Sequence, residues 1–284
     1  MYSLISHGGT DIFIIKLDNR GNLVWARSMG GPANDYGFGI TVDAAGNVYA
    51  TGGFTGTADF DPGPGSYDLT DHGEWDIFVS KLDSTGNLVW ARGMGGASSD
   101  YGQGIAVDSA GNVYTTGYFQ GMVDFRPESG LYFLVSDGSS DIFVSKLDSG
   151  GLFVWARAMG GTSSDYGHGI AVDSAGNVYT TGDFLGTADF DPGAGTLELT
   201  SHGSRDIFVS KLDINGNLAW GKSMGGTSED RGLAVSLDYS GNVYTTGYFQ
   251  GMVDFRPGFG WYYLLSKGLE DIFISKLDSS GDFV

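Results

Sequence analysis

A tripeptide that returns at a fixed interval constrains the fold of this chain more than any other feature. Asp-Ile-Phe occurs five times, each copy 65 residues after the last, starting at Asp11, Asp76, Asp141, Asp206 and Asp271. The segment 89–117 also matches 154–182 at 26 of 29 positions. Such a period indicates one supersecondary unit used repeatedly, with a core shared between neighbouring units.

Alternate units differ, so a period of 130 residues overlies the shorter one. The segment 56–63, which contains Asp-Phe-Asp-Pro-Gly, recurs unchanged at 186–193. The segment 118–127, which contains Asp-Phe-Arg-Pro, recurs unchanged at 248–257. We name the two kinds DFDPG units and DFRP units.

Each unit has the pattern of four short strands and no helical period with caps. In the second unit, strands a to d are predicted at 104–108, 112–119, 141–147 and 153–157. Four sequence-adjacent strands per repeat are typical of a β-propeller blade. We therefore predict an all-β chain, a β-propeller of four-stranded antiparallel blades with about four blades. The single domain 1–284 divides into units at approximately 25–89, 90–154, 155–219 and 220–284, with 1–24 completing the ring.

The turns support this assignment. Glycine accounts for 49 of 284 residues, well above the usual ~7%. Asp-x-x-Gly-Asn joins strand a to b and strand c to d, for example at Asp108–Asn112 and Asp83–Asn87. The Asp is expected to accept backbone N–H groups, and the Gly to take the left-handed conformation of a tight hairpin. The b-to-c connection of about 20 residues, such as Thr55–Trp75, makes the unit longer than a usual blade.

Composition excludes several classes of function. The net charge of −19 disfavours binding to nucleic-acid backbone or to an anionic membrane. No apolar run approaches the ~18 residues of a membrane span, so no membrane insertion is expected. Because cysteine is absent, disulfides, thiolate metal sites and Cys nucleophiles are excluded. The first residues do not have the pattern of a signal peptide.

The long b-to-c loops and the d-to-a linkers should emerge on one face of the propeller, which we call the loop face. The tight turns should form the opposite, tight-turn face. Pairs of carboxylates in the DFDPG loops are candidate calcium ligands. The alternative is a loop fixed by Phe burial and Asp-to-backbone bonds. The candidate residues are Asp59, Asp61, Asp189 and Asp191.

A second acidic set recurs in the d-to-a linkers, where it would ring the channel mouth as a ligand-binding collar. Local turn bonding is again the alternative. Aromatic residues of the loops, with Trp75 and Trp261 foremost, are further ligand-binding candidates. The linker residues are Asp35, Asp100, Asp165 and Asp230.

No residues point to catalysis. An enzyme needs different side chains in different roles at one site, whereas nearly every candidate here occurs in equivalent copies. His7, His72 and His202 share one repeat position and His168 lies elsewhere, so no ring of histidines forms. We expect no catalytic residues, and no cofactor apart from a calcium ion if the loop carboxylates bind one. The repeated tryptophans Trp25, Trp90, Trp155 and Trp220 resemble the docking residues of quinoprotein-type propellers and are interpreted as structural.

The run Asp-Tyr-Gly-x-Gly-Ile-Ala-Val-Asp-Ser-Ala-Gly-Asn-Val-Tyr-Thr-Thr-Gly, followed by Asp-Ile-Phe-Val-Ser-Lys-Leu-Asp, resembles the bacterial β-propeller repeat known as the SBBP repeat. The resemblance covers essentially the whole chain, and the unit that begins at Asp230-Arg231-Gly232-Leu233 departs most. It implies a secreted or surface-attached bacterial protein. It carries no catalytic residues to this sequence.

The leading hypothesis is thus a non-enzymatic extracellular or cell-surface module that is structural or binds a protein or glycan through its loop face. The alternative is a multivalent glycan-binding propeller, with or without calcium. The terminal repeats suggest that strand d at 23–27 pairs with strand c at 271–277 to close a four-bladed monomer. A strand-exchanged homodimer with eight blades is the second possibility.

Overall fold

The chain is built from β-strands throughout the part that the computed structural model describes, which is residues 3–126, 130–258 and 260–284. No helix long and apolar enough to cross a membrane occurs in those residues. The strands are β1 (Ile12–Leu17), β2 (Leu23–Met29), β3 (Asp35–Val42), β4 (Val48–Phe54), β5 (Thr57–Asp59), β6 (Asp68–Thr70), β7 (Asp76–Leu82), β8 (Leu88–Gly96), β9 (Tyr101–Val107), β10 (Val113–Asp124), β11 (Phe133–Leu147), β12 (Phe153–Gly161), β13 (Tyr166–Val172), β14 (Val178–Phe184), β15 (Thr187–Asp189), β16 (Glu198–Thr200), β17 (Asp206–Leu212), β18 (Leu218–Gly226), β19 (Arg231–Leu237), β20 (Val243–Phe249), β21 (Met252–Asp254), β22 (Tyr263–Leu265) and β23 (Asp271–Leu277).

Strands a to d of a unit pair antiparallel in sequence order, as predicted. Strand β9 pairs with β10, β10 with β11 and β11 with β12. The same order holds for β3-β4-β7-β8 and for β13-β14-β17-β18. The last unit contributes β19-β20-β23. The all-β, antiparallel prediction is confirmed.

The third strand of each inner unit is buried on both faces, because it lies between two neighbouring units. In β7, Ile77 and Val79 pack with residues of the following unit, including Phe143. The alternate residues Phe78 and Leu82 pack with residues of the preceding one. The strand is therefore apolar on both sides rather than alternating apolar and polar. A continuous core runs from unit to unit.

A tryptophan on strand d fastens each unit to the next. The Trp90 indole is 5% exposed, and its Nε1 donates to the carbonyl oxygen of Ser149 at 3.2 Å, in the c–d turn of the following unit. Gly151 in that turn has φ +77°, and a Cβ there would lie 2.8 Å from the Trp90 ring. Only glycine fits this position without strain. Trp25, Trp155 and Trp220 make the same bond to Ser84, Ile214 and Ser279.

The tight turns have the bonds that the sequence predicts. Asp108 Oδ1 accepts the backbone N–H groups of Ala110 and Asn112, both at 2.9 Å. Its Oδ2 accepts Asn112 Nδ2 and the Tyr114 hydroxyl. Each a–b carboxylate thus closes one hairpin and also holds the first aromatic residue of strand b.

The b-to-c connection was predicted as a long loop, but it is a β-hairpin that reaches the preceding unit. In a DFDPG unit, β15 pairs with β16, and β15 also pairs with strand d of the unit before it through Gly160 and Gly161. In a DFRP unit, β10 and β11 extend to form the same hairpin. Two glycines allow this approach, since a Cβ on Gly161 would lie 2.2 Å from the Thr187 carbonyl oxygen. The extra length of the unit therefore links neighbours.

The predicted pairing of residues 23–27 with 271–277 is wrong. Strand β2 pairs with β1, its neighbour across the tight turn Asp18–Asn22. Strand β23 pairs with β20 and makes one bridge from Leu277 to Phe283. A hairpin partner separated by the five residues 18–22 has a far smaller loop-closure cost than a strand some 250 residues away. In this structure, residues 1–24 therefore do not complete a ring through that pairing.

Candidate functional site

The acidic residues of the linkers do not reach the surface. Asp35, Asp100, Asp165 and Asp230 are all 0% exposed. Asp100 shows the common arrangement: Oδ2 accepts the Gly96 N–H at 2.9 Å, and Oδ1 accepts the Gln120 N–H at 2.9 Å. The carboxylate ties the linker to the end of strand b. These contacts are the turn bonding of the alternative interpretation. The four residues lie beneath the loop face and stabilise its backbone.

Each linker carboxylate lies near a second buried one at the start of strand c. Burial raises the pKa of Asp100 to about 7, and the nearby Asp76 raises that pKa further. Burial likewise raises the pKa of Asp141 to about 7, with Asp165 contributing. The pKa of Asp165 and that of Asp230 are raised by burial to about 6. Burial and a neighbouring carboxylate both disfavour the charged form of such an acid.

The candidate calcium ligands are engaged in their own hairpins. Asp59 Oδ1 accepts the N–H groups of Asp61 and Tyr67, both at 2.8 Å, and Asp61 Oδ1 accepts the Gly63 N–H. Asp189 and Asp191 repeat these bonds. No group of three or more His, Cys, Asp or Glu side chains that could hold a metal ion occurs among the described residues. Calcium binding stays a prediction.

The aromatic residue Trp75 is part of a ladder along the loop end of the inner strands. Its ring stacks on Tyr36, with centroids 5.1 Å apart and planes 12° apart. On its other side it meets Tyr101 at 5.4 Å. The ladder continues through Tyr118 to Tyr166, with centroid distances of 5.3 and 4.7 Å. These five side chains come from three successive units.

The ladder ends at a polar cluster built around Asp183, a carboxylate with 0% side-chain exposure. Asp183 Oδ1 lies 2.7 Å from His168 Nε2, and Oδ2 accepts Arg205 Nη1 at 2.6 Å. Arg205 also lies over the Tyr166 ring, 4.5 Å from its centroid. Arg231 approaches Asp183 Oδ1 at 3.8 Å and donates to Glu229. With both oxygens occupied, Asp183 is arranged to hold these side chains rather than to accept a substrate proton.

The ladder and cluster are where the repeat breaks down. The position of Asp183 is Gly53, Tyr118 and Tyr248 in the other units, and the position of Arg205 is Trp75, Ser140 and Glu270. Sequence reasoning missed this set, because His168 was judged only by its failure to form a ring with other histidines. A signal was present: His168 is one of three differences between 89–117 and 154–182. This cluster is the exception to the sequence analysis, in which nearly every candidate residue occurred in equivalent copies.

The hairpins carry a second unit-specific feature on their outward sides. In the first DFDPG unit this side bears Thr57, Asp68 and Thr70, all exposed. In the first DFRP unit the same positions are Met122, Phe133 and Val135, exposed by 57%, 46% and 64%. The second DFRP unit is similar, with Met252, Tyr263 and Leu265 exposed. Trp261, predicted as a ligand contact, is 75% exposed beside that hairpin.

Comparison with known proteins supports the repeat family. The model of the SBBP beta-propeller repeat matches residues 89–118 and 154–183. These two segments confirm the predicted resemblance. Both lie across strand d, the linker and strands a and b of their units.

Two curated proteins are similar over most of the chain. The regulatory protein FlaEY of Caulobacter vibrioides is 26% identical over 226 residues, covering 74% of this chain and 23% of that protein. An uncharacterised WD repeat-containing protein, L264 of Acanthamoeba polyphaga mimivirus, is 24% identical over 267 residues, covering 80% and 19%. The chain thus spans about a fifth of the length of these relatives. A crystal structure of a protein of unknown function from Bacteroides caccae aligns with a TM-score of 0.37 at 9% identity, covering 97% of this chain and 93% of that one.

Proposed function

We propose that this chain is a non-enzymatic binding module, a β-propeller segment of about four 65-residue blades, whose loop face contacts the ligand. The observation that carries the proposal is the aromatic ladder that ends at the Asp183 cluster. Units that share the same strands, tight turns and docking tryptophan differ there, and the differing side chains contact one another across unit boundaries. A purely structural array has no need for such differences, because the repeated residues already form every junction.

The chemistry of the face suits recognition rather than catalysis. Aromatic rings offer large, rigid contact area with little loss of rotamer entropy on binding. Arg205 and Arg231 add planar donors beside them. The Asp183 oxygens are already bound by His168 and Arg205, so this carboxylate is arranged to position side chains. We therefore propose binding without a reaction, and no cofactor.

The experiment that tests this is a ligand screen against immobilised proteins and glycans, repeated with the double variant Trp75→Ala/Tyr101→Ala. A ligand of the loop face should lose affinity at least about tenfold, as expected for truncated aromatic contacts. The matched control is Tyr239→Ser, since Tyr239 is a fully exposed aromatic residue in a tight turn of the opposite face. Equal loss in the control, or no loss in the double variant, would contradict the proposal.

A second candidate is multivalent glycan binding, favoured by the exposed rings on the DFRP hairpins. Trp261 and Tyr263 are 75% and 53% exposed, and flat exposed rings can stack on sugar faces. Trp261→Ala should then lower glycan avidity while Trp75→Ala leaves it unchanged. Binding measured with and without a calcium chelator tests whether Asp59, Asp61, Asp189 and Asp191 take part.

The location that fits this function is the bacterial cell surface or exterior. The proposal rests on the SBBP resemblance. Fractionation of a producing bacterium, followed by surface proteolysis of intact cells, tests it. Recovery of the protein only from the cytosol would overturn this part.

A further inference from the structure

The hairpins of DFDPG and DFRP units share one backbone arrangement, but the side chains on their outward sides have opposite chemistry. Each hairpin pairs two short strands and contacts the end of strand d in the preceding unit. At five equivalent positions, DFDPG units have polar or acidic residues, whereas DFRP units have apolar residues or arginine. In the first unit of each kind these residues are Thr57, Asp61, Ser66, Asp68 and Thr70, and Met122, Arg126, Leu131, Phe133 and Val135.

The charge reversal occurs against one glycine near the hairpin tip. In the second DFRP unit, a Cβ on Gly260 would lie 3.1 to 3.2 Å from Cζ, Nη1 and Nε of Arg256, so the guanidinium plane faces this glycine. In the first DFDPG unit, a Cβ on the equivalent Gly65 would collide with Oδ2 of Asp61. The glycine therefore leaves the space in which the charged group lies. The other two hairpins pair Gly130 with Arg126 and Gly195 with Asp191.

A cleft lies between each DFRP hairpin and the loop that precedes strand c in the unit before it. In the first DFRP unit the cleft has a volume of about 680 Å³, and His72, Met122 and Arg126 are among its lining residues. The equivalent cleft of the second DFRP unit has a volume of about 450 Å³. Both volumes lie in the range of small-molecule sites. The matching lining residues of the second cleft are His202, Met252 and Arg256.

The polar groups of the cleft are held by their neighbours. His72 Nδ1 lies 2.8 Å from Oδ2 of the buried Asp76, while the His72 side chain is 68% exposed. Its Nε2 is therefore the ring nitrogen that can bind a ligand. Asp124 Oδ1 accepts the backbone N–H groups of Arg126 and Tyr132 at 3.0 and 2.9 Å, and Oδ2 is the oxygen that can accept from a ligand. The cleft thus combines a cation, a ring nitrogen and a carboxylate oxygen with apolar side chains.

We infer that each DFRP cleft binds a sugar that carries a carboxylate, such as a uronic acid at the end of a glycan. The guanidinium has the charge and the planar geometry to bind a carboxylate through two parallel hydrogen bonds. The exposed ring of Phe133 or Tyr263 offers an apolar surface to the sugar face. Asp124 or Asp254 can accept the sugar hydroxyls. This inference rests on the second candidate function, multivalent glycan binding, and names the class of sugar.

The DFDPG hairpins should exclude the same ligand. Asp61 or Asp191 occupies the place of the arginine there, so a ligand carboxylate would meet a like charge. The net charge of −19 does not prevent binding of a single carboxylate at the arginine, because exposed charges farther away than about 8–10 Å are largely screened at physiological ionic strength. Binding should therefore occur at both DFRP units and at neither DFDPG hairpin.

The experiment compares methyl glucuronide with methyl glucoside, in which a hydroxymethyl group replaces the carboxylate, by NMR titration with a calcium chelator present. The wild type should bind the glucuronide at least about tenfold more tightly, because hydrogen bonds between charged groups are the stronger ones. The double variant Arg126→Asp/Arg256→Asp should lose this preference. It should keep the wild-type melting temperature, since the DFDPG hairpins have aspartate at this position and form the same strands.

Two controls separate the clefts from the rest of the molecule. Arg20→Asp changes the charge of an exposed arginine in a tight turn by the same amount as each cleft substitution, and should bind the glucuronide like the wild type. Trp75→Ala/Tyr101→Ala should also bind it normally, because the ladder does not line the clefts.

The outcomes distinguish this inference from the function on which it rests. Equal affinity for the two sugars would overturn the inference and leave multivalent glycan binding in place. A wild type that binds neither sugar would overturn the inference, and failure to bind any glycan would overturn both. A preference for the glucuronide that survives Arg126→Asp/Arg256→Asp, or is lost in either control, would also overturn it.

Discussion

The tight-turn face and the loop face are built by the same strands, yet they differ in how strictly they repeat. On the tight-turn face, Asp43, Asp108, Asp173 and Asp238 make the same bonds to the same residue types in every unit. On the loop face, equivalent positions hold Tyr118 and Asp183, or Trp75 and Arg205. The strands fix the backbone of both faces, and only the loop face uses it to display different side chains. This difference is the reason for the proposal that the tight-turn face maintains the array while the loop face binds the ligand.

The largest change in the free energy of unfolding should come from the tryptophan junction on the tight-turn side. Trp90→Ala removes a buried indole and its bond to Ser149, and should lower the free energy of unfolding by about 3–5 kcal/mol. Urea denaturation measures it. Val89→Ala is the control, because Val89 is 51% exposed and should change little. A Trp90→Ala chain as stable as the wild type would show that the repeated face does not maintain the array.

The two faces should respond to pH in opposite directions. On the loop side, burial raises the pKa of Asp100 to about 7. Since the unfolded value is lower, its contribution to stability is complete in acid and is lost as pH rises through about 7. On the tight-turn side, the backbone N–H of Asn87, then the Thr85 hydroxyl, hold the pKa of Asp83 well below its usual range. That contribution is present above the unfolded pKa and is lost as pH falls towards the folded value.

Melting curves from pH 3 to pH 9 test this contrast. The wild type should lose at least about 1 kcal/mol between pH 5 and pH 8. Asp100→Asn should flatten that alkaline loss, and Asp83→Asn should flatten only the loss below pH 4. The same flattening from both variants would remove the distinction between the faces.

The smallest change in the free energy of unfolding should come from a substitution in the aromatic ladder. Trp75 is half-buried and its main contacts are the rings of Tyr36 and Tyr101, so Trp75→Ala should cost about 1 kcal/mol. The same urea titrations compare it with Trp90→Ala. A cost as large as that of Trp90→Ala would make the ladder part of the core and would weaken its case as a binding surface.

The sequence predicts the parts of the molecule that a single unit determines. The strand order and the turns at Asp108 follow from local pattern and spacing, and the docking of Trp90 follows from its resemblance to quinoprotein-type propellers. Two features depend on which residues of different units become neighbours. Strand β5 has only three residues (Thr57–Asp59), too few for a periodic signal, and its hairpin is held partly by the preceding unit. The Asp183 cluster joins residues 15, 22 and 48 positions away, which only the register of the strands brings together.

The burial of the linker aspartates was also beyond sequence reasoning. An acidic residue beside tyrosine in a Gly- and Ser-rich linker is usually exposed. Here two backbone N–H groups compensate Asp100, and Gly95 leaves room for Asp76, whose carboxylate lies 2.0 Å from where a Cβ would be. The turn-bonding interpretation could be chosen over a ligand-binding collar only once the directions of those backbone N–H groups were known.

The uniform junction has a consequence for how such genes change in length. Removal of residues 90–154 would join Val89 to Trp155, and the sequence would continue as Val-Trp-Ala-Arg, as it does now at both places. The shortened protein would meet its next unit through the same indole, the same turn carbonyl and the same glycine. Unequal recombination between repeats would therefore add or delete whole units while keeping the residue types of this tryptophan junction. Array length can vary between generations while the fold of each unit stays the same, and new loop-face side chains can then diversify in the added copies.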